Sequence, residues 1–361
     1  MTNRKPASVS EVQGFVKGAP HIFSHGAGTK TALTVSVDGV TTLDMTLISG
    51  LQEYEPEEFT FTALAGTCIV EVNQALSQNG QYLPFDPPLV EHGATLGGTV
   101  AAGLSGPGRY RYGGLGDFLI GVRYVNCSGE LVRGGGKVVK NAAGFDLAKL
   151  MIGSLGTLGV FVELTFKVFP APELFSTLQL DFDTLVDALQ AIQQASVSHL
   201  DIDAIEMAPT ESVGGRVWIR IGGSAKTMPT RIDRLYKMYH QGEILAGSDE
   251  EIIWQQLREF NWVPGGWSLI KIPMTHGRIL ALEGEVDREL MLRRYSCAGQ
   301  IGWLAVKESP ESLEPVLIKH GLNGLVILGS SEQLRLGEYP SVSFYNRIKT
   351  ALDPINRFVE V

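Results

Sequence analysis

Eighteen of the chain's 42 glycines fall in the 67 residues from Gly93 to Gly159. That is about 27% of the window, against roughly 7% in an average protein. The same window holds seven Lys and Arg against three Asp and Glu, a local balance of +4 inside a chain of formal charge −9. Glycine tolerates positive φ and lets main-chain N–H groups come close to a ligand. Amide donors with local positive charge are what a buried diphosphate, or another anion, requires. A turn-rich β region is the plainer alternative, and the motifs decide between the two.

With 361 residues the chain is too long for one ordinary core, so two domains are expected. Hydrophobic residues at 44% and charged residues at 19% exclude a disordered chain. The net acidity argues against sequence-independent nucleic-acid binding, which draws its affinity from phosphate neutralisation. Cys68, Cys127 and Cys297 are scattered and odd in number, so neither a disulfide framework nor a structural zinc site is expected. Residues 1–14 are polar and lack a secretory pattern. The longest apolar run, Leu150 to Phe166, is interrupted by glycines and Glu163 and falls short of a spanning helix. A cytoplasmic location is expected.

The first block, to about Pro88, reads as short strands at His21 to Ser24, Leu33 to Val37 and Thr42 to Thr46, the last two divided by the hairpin signal Asp38-Gly39. Phe59 to Ala65 alternates like a half-buried strand, and Thr67 offers an N-cap for a helix ending near Gly80. The second block holds the glycine cluster and ends in a long strand, Leu158 to Phe169, before Pro170-Ala171-Pro172. The third block starts with a strand at Ser176 to Asp181 and an amphipathic helix, Thr184 to Ser196, with Leu185, Leu189 and Ile192 on one face. Strands follow around Val217 to Ile221, Leu269 to Ile272, Ile301 to Val306 and Gly324 to Leu328. The class is α+β, with antiparallel sheet and packed helices in the third block.

Several common motifs fail. Gly153-Ser-Leu-Gly156-Thr-Leu-Gly159 lacks the first spacing of a dinucleotide fingerprint, and Gly134-Gly-Gly-Lys137 is followed by Val138 where a Walker loop needs Ser or Thr. Gly103-Leu-Ser105-Gly-Pro107 is not a nucleophile elbow. The histidines form no metal-ligand pattern, so no metal is expected. Two loops remain. His25-Gly26-Ala27-Gly28-Thr29-Lys30 has main-chain amides for diphosphate oxygens, with Thr29 and Lys30 as further donors, or else is a plain glycine turn. Thr95-Leu96-Gly97-Gly98 through Ala101 to Gly103 suits a short helix whose N-terminal amides face an anion, or one packed tightly on a sheet.

Taken together and in this order, these loops resemble the FAD-binding domain of the vanillyl-alcohol-oxidase or para-cresol-methylhydroxylase (PCMH) type. The resemblance covers about His21 to Pro170 and includes Leu43-Asp44-Met45-Thr46, Leu83 to Pro88, Tyr112-Gly113-Gly114-Leu115-Gly116-Asp117, Lys140 to Leu147, and Gly153 to Gly159. It implies a two-subdomain FAD-binding domain over residues 1–172, with subdomains of about 1–88 and 91–170. A cap or substrate domain over 173–330 and a C-terminal return segment over 331–361 would follow. Within the family, Gly103 to Pro107, Gly135 to Gly144 and the plain Gly-Ser-Leu-Gly-Thr-Leu-Gly run, where relatives usually carry Glu at the place of Leu155, look like the flavin-binding subunits of bacterial glycolate oxidase (glycolate dehydrogenase).

The resemblance implies that His25 to Lys30 hold the FAD pyrophosphate and that Thr95, Leu96, Gly97, Gly98, Ala101, Gly103 and Gly106 line the pyrophosphate and isoalloxazine. Pro87, Gly113, Asp117, Gly156, Gly159 and Val160 complete the cofactor set. It also implies complex partners: a second flavin subunit and an iron–sulfur subunit, through which any contact with the inner membrane would run. The chain departs from the family in places. His25 replaces an Arg, Thr29 stands where covalently flavinylated relatives have His, and only the start of the C-terminal Phe-Asn-Pro-Gly segment survives in Leu352 to Phe358.

Oxidising a 2-hydroxy acid needs a cation for the carboxylate and a base for the hydroxyl. The His-x-Gly-Asp-Gly-Asn run of catalytic relatives is absent, leaving His276 and Arg278 as candidates, while Arg109 and Arg111 suit phosphate or a partner surface. Two readings stand: a glycolate-oxidising flavin subunit that passes electrons to its partners, and a flavin-binding electron-transfer or structural subunit whose partner carries the substrate chemistry. The Thr29 position predicts a noncovalent flavin. Acid precipitation should release all the FAD to the supernatant, and Thr29→Ala should leave that release unchanged; flavin retained on the pellet counts against it.

Overall fold

The computed structural model describes residues 2–34, 38–136, 146–210 and 214–359. The chain divides into two compact units. Unit 1 comprises Met1–Ser105, Gly113–Ala171 and Pro340–Val361, and unit 2 comprises Gly106–Tyr112 and Pro172–Tyr339.

Unit 1 contains β1 (Thr2–Arg4), β2 (Ile22–His25), β3 (Thr41–Asp44), β4 (Leu51–Glu55), β5 (Thr60–Leu64), β6 (Gln81–Tyr82), β7 (Leu119–Val125), β8 (Leu131–Gly135), β9 (Val160–Lys167) and β10 (Phe169–Pro170). The first three strands form a parallel sheet in the order β1-β3-β2. An antiparallel sheet runs β4-β5-β9-β7-β8, and β6 pairs with β10. The helix Val9–Gly18, capped by the Ser8 hydroxyl, buries Val12 and Val16 against Ile22, Leu43, Val125, Val160 and Phe358. A second apolar centre stacks Phe61 and Phe85 on Phe166, with ring centroids 5.4 and 6.1 Å apart.

Several expectations for this half change. Leu33 lies in a 3-10 turn (Thr31–Leu33) and residues 35–37 lie outside the described residues, so the expected Leu33 to Val37 strand has no counterpart in what is described. Asp38-Gly39 does turn, but β3 then runs parallel to β2, so the turn closes no hairpin onto it. Thr67 is not the helix cap. Its hydroxyl donates to Leu64 O (2.7 Å) and accepts from Gly50 N (2.9 Å), and Cys68 caps the helix Ile69–Ser77. Residues Thr60 to Ala63 are buried on both faces, because Phe61 stacks on Phe166 while the Thr62 hydroxyl meets that of Thr165 at 3.0 Å. The same pairing puts β4 and β5 in one sheet with β7 to β9, so a boundary near 88–91 does not separate the sheets.

Unit 2 is built on one antiparallel sheet of β11 (Leu174–Phe182), β12 (Ala204–Pro209), β13 (Gly215–Gly223), β14 (Glu243–Ala246), β15 (Ser268–Pro273), β16 (Met291–Ser296), β17 (Ile301–Val306), β18 (Asn323–Leu328) and β19 (Arg335–Gly337). The order is β14-β11-β13-β12-β16-β17-β15-β18-β19. Thr184 caps the helix Leu185–Ser196, which buries Leu185, Leu189 and Ile192 as its period predicts. The short helix Arg109–Tyr112 belongs here, away from its sequence neighbours, because Arg111 and the Tyr112 hydroxyl bond the buried Asp203 carboxylate at 3.0–3.2 Å. The expected 1–172 and 173–330 segments are thus interrupted by residues 106–112, and of the expected return segment only 340–361 join unit 1. Among the described residues no helix is long and apolar enough to cross a membrane.

Inside unit 2 the Glu283 carboxylate takes Arg293 through two 3.1 Å bonds and the Tyr295 hydroxyl at 2.5 Å, all three side chains being buried. Removing the cation leaves a buried carboxylate uncompensated. Arg293→Met should therefore destabilise the protein by about 3–5 kcal/mol in denaturant unfolding, and a change under ~1 kcal/mol would contradict this account.

Candidate functional site

The parallel strand β2 carries buried Ile22 and Phe23 into the core and delivers His25 to Gly26–Lys30 at the edge of a cleft in unit 1. The cleft encloses about 470 Å³, counting space open to solvent, and is lined by Phe23 through Lys30, Leu33, Thr34, Thr95, Gly98, Ala101, Ala102 and Leu155. An adjoining hollow shares Ser24 to Gly26, Thr95, Gly98 and Ala101, and adds Met45, Ala65, Gly97, Gly156 and Phe161. The two glycine loops singled out in the sequence therefore form facing walls.

Their separation is set by Gly26. A Cβ there would run into the Thr95 hydroxyl, with Thr95 Cβ only 3.2 Å away. Gly28 holds φ at +71°, a left-handed value that side chains other than glycine rarely adopt. Behind the loop, Lys30 is only 6% exposed, and its ammonium donates to the hydroxyls of Thr29 (3.2 Å) and Thr99 (3.4 Å). His25 is held by an Nδ1 contact of 2.6 Å with Gly26 O and by stacking on Phe23.

The second wall is the helix Leu96–Ala102. Thr95 is its N-cap as expected, its hydroxyl accepting from Gly98 N, and Gly103 ends it in the left-handed conformation. Its N-terminal amides do not face an anion. Leu96 N donates to Thr67 O (3.0 Å), Gly97 N to Ala65 O (2.7 Å) and Gly98 N to the Thr95 hydroxyl, so the turn is tied to the sheet beneath it. What this helix presents to the cleft is the small surface of Gly98, Ala101 and Ala102.

Of the expected cofactor residues, His25, Gly26, Ala27, Gly28, Thr29, Lys30, Thr95, Gly97, Gly98, Ala101 and Gly156 come together here. Others do not line these hollows. Leu96 and Val160 are buried in the core, Pro87 is buried, and Gly103 is the helix cap. Gly106 belongs to unit 2. Asp117 folds back on its own turn to accept from Gly114 N and fills the space beside Gly113. A Cβ at Gly159 would press on the Tyr124 ring, which gives that glycine a packing role. Residues 137–145, including Lys140 to Gly144, lie outside the described residues. Sequence reasoning missed Phe23, Ser24, Leu155 and Phe161 as lining residues, although each adjoins a motif it had singled out.

His276 and Arg278 are each engaged by the fold. His276 Nε2 donates to Leu189 O (3.0 Å) and Arg278 Nη1 to His320 O (3.1 Å), so both hold main-chain carbonyls within unit 2. Arg111 is taken by Asp203. Arg109 stands near Lys271, whose ammonium is brought down to about 8, first by burial and second by the Arg109 charge.

The glycine cradle, the buried ammonium and the hydroxyl donors suit a diphosphate-bearing cofactor, and the comparisons with known proteins agree. A family model described as an FAD binding domain matches residues 4–135. The class is that of FAD-binding oxidoreductases. Glycolate oxidase subunit GlcE of Escherichia coli is 30% identical over 356 residues, covering 98% of this chain and 95% of that protein. The chain belongs to the GlcE family. Other relatives match more narrowly. A D-lactate dehydrogenase of Anaerostipes hadrus is 33% identical across 52% of this chain and 40% of its own length, and glycolate oxidase subunit GlcD of Bacillus subtilis 31% identical across 47% and 36%. Against those two the chain spans well under half of their length. A solved alkyldihydroxyacetonephosphate synthase shares the fold at a TM-score of 0.70 and 17% identity, over 98% of this chain and 76% of that one.

Gly26→Val should abolish FAD retention, because its side chain would occupy the contact with Thr95 and force the walls apart. The flavin-to-protein ratio after gel filtration checks this, and a full complement of FAD in that variant would refute the cleft.

Proposed function

We propose that unit 1 holds FAD noncovalently in this cleft and that the chain is the FAD-binding subunit of a glycolate (2-hydroxy acid) oxidase complex. The observation that carries the assignment of the cleft is the buried Lys30 ammonium behind a glycine loop too close to Thr95 to admit a side chain. In this reading the loop 26–30 cradles the pyrophosphate, and Lys30 and Thr29 neutralise and donate to its oxygens. Gly98, Ala101 and Ala102 let the cofactor lie flat against the helix, while Leu155 and Phe161 exclude water from it. FAD, when bound, supplies the two-electron acceptor for oxidation of the hydroxyl-bearing carbon.

The engagement of His276 and Arg278 on main-chain carbonyls favours a second reading of the division of labour. There the cation and base for the hydroxy acid sit on a second flavin subunit, and this chain relays electrons toward an iron–sulfur subunit. Its own three cysteines, Cys68, Cys127 and Cys297, are too few to hold such a cluster. Any association with the inner membrane would run through the partners.

Anaerobic titration of the FAD-loaded chain with glycolate separates these readings. Bleaching of the flavin band places substrate oxidation on this chain. A flavin that stays oxidised until the partner subunits are added assigns the chemistry to them, and no response with the partners present would refute the glycolate assignment.

A further inference from the structure

The C-terminal helix Val342–Leu352 has an unusual anchor: the residue it buries is Lys349. The ammonium donates to Phe358 O (2.5 Å), the Asp353 carboxylate (2.6 Å) and Thr157 O (2.8 Å). One turn earlier, Tyr345 meets the Thr157 hydroxyl at 2.7 Å. Since Thr157 Oγ1 is itself placed to donate to Ser154 O (2.5 Å), the Tyr345 hydroxyl is the donor to it. Thr157 therefore has both its carbonyl and its hydroxyl held by this helix.

Thr157 closes a tight turn on the cofactor side. Gly153, Leu155 and Gly156 hold φ at +74°, +52° and +79°. A leucine keeps that conformation only where its surroundings over-determine it. Leu155 and Gly156 line the cleft and its adjoining hollow. The Gly26–Lys30 wall is held by the same segment. Ile22 N donates to Arg357 O (2.7 Å) and Val359 N to Ile22 O (3.0 Å), which adds residues 357–359 alongside β2 just before the Gly26–Lys30 loop.

We propose that residues 345–359 form a clasp that presets the 153–157 turn and the Gly26–Lys30 wall of the cofactor cleft, with Tyr345 and Lys349 as positioning residues acting through Thr157. The inference rests on the reading of this cleft as the FAD site. Neither side chain touches the cofactor; their work is to keep the 153–157 turn in its binding geometry before FAD arrives. Where that geometry is only partly populated, the apparent dissociation constant rises in inverse proportion, with the bound state unchanged.

The test uses the full chain stripped of FAD and titrated with FAD by flavin fluorescence. Tyr345→Phe removes one hydroxyl and leaves the Lys349–Asp353 pair intact. It should weaken FAD binding roughly three- to tenfold, the effect of one hydrogen bond. The apoprotein's unfolding midpoint and the flavin spectrum at saturation should match the parent. Thr157→Val, which also loses the bond to Ser154 O, should weaken binding at least as much, and the double variant should be no weaker than Thr157→Val alone. Lys349→Met should weaken binding further; should it fail to fold, Tyr345→Phe decides alone. Binding by Tyr345→Phe within about twofold of the parent would overturn the clasp. So would weaker binding matched by an equal loss of apoprotein stability, which marks a merely structural bond. A parent chain that takes up no FAD would overturn the FAD reading itself, and the clasp with it.

Discussion

The organisation of unit 1 depends on a buried ion pair, Lys349 with Asp353. Withdrawing an ammonium and a carboxylate from water costs several kcal/mol per ion unless every donor and acceptor is matched. Here they are. Lys349 has three N–H groups and uses them on Thr157 O, Asp353 and Phe358 O. Asp353 also accepts from the amides of Arg357 (2.9 Å) and Phe358 (2.8 Å). The knot turns the end of the chain back onto its beginning and places Phe358 in the same core as Val12, Val16 and Ile22. A purely apolar anchor would bury area without choosing a register. This one fixes which carbonyl of the 153–159 turn and which residue of β2 the tail meets.

Between the elements so fixed lies a cleft whose chemistry is simple. The helix Leu96–Ala102 is not an anion-binding N-terminus, because its first amides are committed to Thr67, Ala65 and Thr95. What it offers the cleft is a surface of small residues, Gly98, Ala101 and Ala102. The charge comes instead from one lysine. Lys30 lies buried behind the 26–30 loop beside the hydroxyls of Thr29 and Thr99, the charge and donor set that the proposed diphosphate would use.

Local signals in the sequence identified much of this. Thr95 as N-cap and the apolar face of Leu185–Ser196 read correctly, because each depends on a few neighbouring residues. What escaped were features set by distant partners. Thr67 looks like a helix cap until Gly50 and Leu64 claim its hydroxyl. Thr60 to Ala63 look half-buried until β9 supplies Phe166 and Thr165. Asp38-Gly39 signals a hairpin, but β1 and β2 take both edges of β3 in parallel. Asp117 matched a cofactor motif and proved to be the brace of its own turn. Lys349 could not be read at all: a lone lysine in an amphipathic helix gives no hint that it, and not its apolar neighbours, faces inward.

The same accounting bears on where substrate chemistry takes place. In unit 2 three well-buried carboxylates are matched by cations of the same unit: Glu283 by Arg293, Glu250 by Arg220 at 2.7 Å, Asp203 by Arg111. A substrate carboxylate recruiting any of these arginines would strand a buried anion, at a cost larger than the new pair returns. His276 donates from Nε2 to the Leu189 carbonyl, which leaves Nδ1 as its proton-accepting nitrogen. Each of these three arginines therefore serves the fold of its own unit.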